Sequence, residues 1–177
     1  MLRLGFPLVV FLSFGAHKLI LYVHVFGSAV ALLVGPLQFW TFLRNDRPHM
    51  HRWLGRFYLS AGVALGGLAG LVLSASAFGG FPSKLGFACL ALAWLYTGSR
   101  AFGAARSRDF TAHRRWMVRN FSLAFAAVTL RLWLPGSVVL GVPFELAYPI
   151  IAWLCWVPNL VVAELLVRKD AYSNADP

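Results

Sequence analysis

Five apolar stretches, each near the length of helix that crosses a hydrocarbon core of about 30 Å, decide what this chain can fold into. They run from Leu19 to Leu43, Trp53 to Ala77, Leu85 to Phe102, Trp116 to Leu134 and Phe144 to Val167. Charged residues make up 12% of the 177, where a water-soluble chain carries roughly a quarter, so most of the surface must face lipid. The pattern predicts an all-α integral membrane protein: a bundle of five transmembrane helices over residues 19–167, followed by a cytoplasmic tail over 168–177. That length leaves no room for an attached soluble enzyme. Residues 1–18 hold a shorter apolar run with three open readings. It is an interfacial or helix-extending segment, a signal peptide with Arg3 as its basic region and Ser13-Phe14-Gly15 as the cleavage site, or the stump of a further span.

The net charge of +10 is distributed unevenly. Residues 44–56 hold four arginines, residues 100–119 hold six, and the tail opens with Arg168 and Lys169. Residues 78–84 carry only Lys84, and residues 135–145 only Glu145. By the positive-inside rule, the amino end is expected outside and the carboxyl end in the cytoplasm, as five spans require. Basic residues confined to short loops orient a membrane protein; nucleic acid is not an expected partner, whereas membrane lipids are. Cys89 and Cys155 lie in apolar runs and read as small buried hydrophobes.

Small residues recur every four positions in two spans, as Gly27, Ala31 and Gly35 in the first and Gly62, Gly66 and Gly70 in the second. This spacing lets helix backbones approach closely, within one chain or between two copies in a homodimer. His51-Arg52-Trp53-Leu54-Gly55-Arg56-Phe57 is similar to the segment His113 to Phe121, which begins 62 residues later and has a second arginine inserted before the tryptophan, and each opens a span. A two-helix internal repeat would place the two histidines at matching positions about an axis along the membrane normal.

Ionisable groups inside a membrane are costly, and they are the first candidates for function. Helical spacing puts His24, Ala31 and Gln38 on one stripe, and His51, Gly55, Tyr58 and Gly62 on another. A third stripe runs through His113, Asn120, Ala124, Ala127 and Arg131. These stripes predict an inner polar level of His51, His113, Gln38 and Glu164, and an outer level of His24 and Arg131. Haem b in a helical bundle takes axial histidines from facing helices, a slot of small residues and basic groups for the propionates. His51 and His113 are the expected iron ligands, the glycine face the slot, and Arg52 and Arg114 among the propionate contacts. His24 has no facing histidine for a second haem, so His24 and Arg131 are instead expected to hydrogen-bond a quinone headgroup. His49 lies beside His51 in a His-x-His that lacks the spacing of hydrolytic zinc signatures, and no phosphate-binding loop or nucleophile elbow occurs. The alternative to a redox protein is a non-enzymatic transporter, or an assembly or stress-related membrane partner.

Taken in order, Gly35-Pro36-Leu37-Gln38-Phe39, the run from His51 to Tyr58, the run from His113 to Arg119, Thr129-Leu130-Arg131, Trp156-Val157-Pro158-Asn159-Leu160 and Glu164 resemble a bacterial family of predicted membrane proteins, domain of unknown function 2306. The resemblance spans His24 to Glu164. It implies a multi-pass protein of the inner membrane and carries no activity across. Many members have a longer hydrophobic amino-terminal region than this chain.

Overall fold

The computed structural model describes residues 18–173, all of whose regular structure is helical. The expected amino-terminal segment, residues 1–18, lies almost wholly outside the described residues. Helix α1 covers Lys18–Phe39 and is followed by a short turn of helix, α2, over Thr41–Asn45. Helices α3 (Pro48–Ser74), α4 (Gly80–Arg106), α5 (Phe110–Val139) and α6 (Phe144–Asp170) complete the described bundle. Four of these helices, α1, α3, α5 and α6, are long and apolar enough to cross a membrane. The expected third span falls in α4, which has 27 residues but carries Lys84, Arg100 and Arg106 along with Ser83, Thr97 and Ser99.

The helix ends follow local chemistry. Pro48 opens α3, where a missing N–H costs nothing. Asp109 caps α5 by accepting from the Ala112 amide at 2.9 Å. Gly79, at φ +83°, makes the turn into α4 with Pro149 packed close above it, so a side chain there would meet both strain and a neighbour. Helix α6 is broken at Cys155 and Trp156. Pro158 lacks the N–H that would bond the Leu154 carbonyl, four residues back.

Packing rests on the small residues. Neighbouring helices run antiparallel, and α1 meets α3 through Gly27 on Gly66, Ala31 on Gly62 and Gln38 on Gly55. An ideal Cβ on Gly27 would stand 2.7 Å from the Cα of Gly66, so the two backbones are in direct contact. The small-residue faces of the first two spans are therefore engaged with each other within the chain. Between Tyr58 and Leu65, α3 widens into i→i+5 hydrogen bonding, a geometry that shifts the register of side chains along a helix. Tyr58, at its start, is fully buried and donates to Asn120 Oδ1 at 2.7 Å. Asn120 Nδ2 donates in turn to the Trp94 carbonyl and to Thr97 Oγ1, each at 2.8 Å. This network ties α3, α4 and α5 at mid-bundle.

These contacts set two ends. Gln38, His51, Ala101 and His113 lie at one, while His24, Gly70, Phe78 and Arg131 lie at the other. Near the first end, Arg119 holds Glu164 through Nε and Nη2 at 2.8 Å, and Arg100 and Arg119 lie against the ring of Trp116.

Candidate functional site

A cavity of about 460 Å³ lies in the half of the bundle opposite the histidine pair. Five helices line it. His24, Val25 and Ser28 come from α1; Gly66, Gly67 and Gly70 from α3; Phe87, Ala91 and Trp94 from α4; Ala127 and Arg131 from α5; and Tyr148 and Cys155 from α6. The walls are apolar apart from a few groups, of which His24 and Arg131 are the strongest hydrogen-bonding side chains. Sequence spacing placed these two at one level, and the structure brings both onto the wall of one cavity.

The imidazole of His24 is held firmly. Its Nδ1 lies 2.8 Å from the Gly66 carbonyl oxygen. A carbonyl can only accept, so Nδ1 carries the proton and Nε2 of the neutral ring presents a lone pair. Gly70 makes the room: a Cβ there would stand 2.9 Å from the imidazole. Arg131 Nη1 donates to the Ala127 carbonyl at 2.7 Å, one turn back on its own helix, which leaves further N–H groups of the guanidinium for a ligand. None of the ion pairs among the described residues involves it. A guanidinium on a membrane-spanning helix without a carboxylate calls for an oxygen acceptor from elsewhere.

The other end holds the expected inner level. Gln38 is 7% exposed and its Nε2 has no hydrogen-bond partner; His51 Nδ1 is likewise buried and unpartnered. His113 Nδ1 donates to the Ala101 carbonyl at 2.8 Å, which leaves the lone pair on Nε2 and fixes the ring as such a bond does in metal-binding histidines. His113, Arg44 and Arg52 are near enough to His51 to act on it electrostatically. Arg52 also lines an outward hollow of about 360 Å³ with His49, Trp53 and Arg56. Two expected members are engaged elsewhere. Arg114 pairs with Asp170 at 3.2 Å on the surface, and Glu164 is committed to Arg119 and Arg168. The glycine face expected to seat a porphyrin is closed by α1, since Gly62 meets Ala31 and Gly66 meets Gly27.

Between the two ends, Trp94 and Thr97 join Tyr58 and Asn120, and spacing along α4 had singled out neither. One signal was available. Tyr58 and Asn120 each stand seven residues after a histidine, His51 and His113, two turns along the same helix face, and they meet across the bundle.

Residues 21–167 match the family of predicted membrane proteins designated DUF2306. The chain belongs to this family. The DUF2306 match takes in His24, Gln38, His51, His113, Arg131 and Glu164, and so both ends of the bundle. No curated protein and no solved structure matches the chain. Family membership and its four long apolar helices make it a multi-pass membrane protein.

Proposed function

We propose that this protein binds a quinone-type headgroup in the cavity between His24 and Arg131, in a bacterial inner membrane that it crosses five times. The observation that carries the reading is the cavity itself, which sets an anchored histidine and a guanidinium without a carboxylate partner on the wall of an otherwise apolar chamber. The two groups suit both redox forms. A quinone carbonyl accepts from Arg131, and a hydroquinone O–H donates to His24 Nε2. The fifth span is α4: at about 1.5 Å per residue its 27 residues exceed the hydrocarbon thickness, and it packs among α3, α5 and α6. Every arginine-rich loop falls at the end that holds His51 and His113, which makes that end cytoplasmic and puts the His24 cavity toward the outer face. A periplasm-active reporter fused after residue 110 is expected to be inactive, and activity there would reverse the orientation.

Haem b on His51 and His113 is the second reading. It is favoured by the unpartnered His51 Nδ1 and by the anchoring of His113 through Nδ1. The glycine face does not supply its slot. One preparation tests both readings: the detergent-purified protein, expressed with ample haem, is scanned before and after dithionite and then extracted for quinones. A stoichiometric Soret band that His51→Ala and His113→Ala abolish would establish the haem, and a colourless protein would remove it. Near-stoichiometric quinone in the extract, lost in His24→Ala, is the result expected for the cavity. A protein that holds neither would return these residues to helix packing or a polar path, the transporter or partner alternative.

A further inference from the structure

The cavity is not closed on all sides. Helix α1 packs along the first half of α5, where the Phe121 ring lies over Gly35 and meets Phe39 at a centroid distance of 5.8 Å. Regular hydrogen bonding along α5 is interrupted at Phe125, and beyond it the helix packs on α6 instead. That change of partner is fixed by polar contacts. Thr129 Oγ1 donates to the Cys155 carbonyl, while Asn159 Nδ2 donates to Thr129 Oγ1 at 3.1 Å and to the same carbonyl at 2.9 Å. The carbonyl is available because α6 is itself broken at Cys155 and Trp156. Thr129 and Asn159 therefore satisfy the carbonyl freed at the α6 break, as irregular backbone inside a bilayer must be satisfied. Past Phe125, α5 no longer packs along α1, and both helices line the cavity there.

Val25, Ala29 and Leu32 line the cavity on α1, and Ala127, Leu130 and Arg131 line it on α5. Val25 and Ala29 are exposed, so they stand at the rim. This side of the cavity is thus aliphatic apart from one guanidinium, and His24 lines the same cavity. From this geometry we infer that the cavity opens into the bilayer between α1 and the second half of α5, and that its ligand is a tailed amphiphile. The oxygen-bearing headgroup lies between His24 and Arg131, and the alkyl or prenyl chain leaves through the gap into lipid. This rests on the proposed quinone-type site and adds the path and the shape of its ligand. Were the chamber sealed, only a ring without a tail would fit.

Two equilibrium titrations of the full chain in nanodiscs test it, one with a quinone that bears an alkyl tail and one with the same ring lacking the tail. Ala29→Phe and Ala29→Trp each fill the gap from an exposed rim position, so neither disturbs a packed face. Each variant is expected to weaken binding of the tailed quinone by about tenfold while holding the tail-less ring within about twofold of the parent. Equal loss of both probes, or unchanged binding of the tailed one, in both variants would overturn the opening while leaving the headgroup site standing. Binding of neither probe by the parent would instead overturn the headgroup site and this inference together.

Discussion

Gly27→Val is expected to leave little folded protein after detergent extraction. In lipid no hydrophobic drive brings helices together, so close packing and satisfied polar groups must do it. At Gly27 that packing is backbone on backbone: a Cβ would come within 2.7 Å of Gly66 Cα and 2.8 Å of its amide nitrogen. Neither atom can rotate away, unlike the end of a side chain. Valine adds two methyl groups to the clash, and parting α1 from α3 would also disturb the Ala31–Gly62 and Gln38–Gly55 contacts along the same seam. A cost of ~3 kcal/mol or more is expected, at or above the upper end for overpacking. Thermal melting with a size-exclusion readout checks it. Gly103→Val serves as the control, since a Cβ there meets nothing within 4 Å, and its melting should match the parent. Unchanged melting of Gly27→Val would mean that α1 does not lie on α3 in this way.

The second large effect is on ligand binding. His24→Ala and Arg131→Ala are each expected to weaken quinone binding by about tenfold or more, the loss that follows removal of one hydrogen bond to a buried or charged partner. The double variant should lose less than the sum of the two, because each bond helps to hold the same headgroup. Arg131→Lys keeps the charge but not the planar fork, so partial recovery is expected. Melting of each variant separates a binding defect from unfolding. For His24→Ala this matters, since the change also leaves the Gly66 carbonyl without its imidazole partner. Parent-like affinity in both single variants would remove these residues from the site.

Periodicity made the long elements and their contact faces readable, because in a bilayer the apolar length and the small-residue stripe are themselves the folding instructions. The Gly27–Ala31 and Gly62–Gly66 stripes meet as helix seams, and His24 of α1 and Arg131 of α5 line one chamber. What escaped depends on helix rotation and local irregularity. The interruption of α5 at Phe125 has no proline or glycine to announce it. No sequence signal marks the wide turns that begin at Tyr58. Trp94 and Thr97 contribute through α4, where they stand among residues of no clear polar stripe. Arg114 was placed at the inner site by its neighbour His113, but a long, flexible arm at the interface finds Asp170 instead.

The most direct test of the account is the position of a photoreactive, azido-substituted quinone after crosslinking to the protein in native membranes. Saturable labelling of the peptides that contain His24 and Arg131, suppressed by excess unlabelled quinone, is the predicted result. Labelling that does not saturate, or that falls on the His51 and His113 peptides at the opposite end of the bundle, would contradict it.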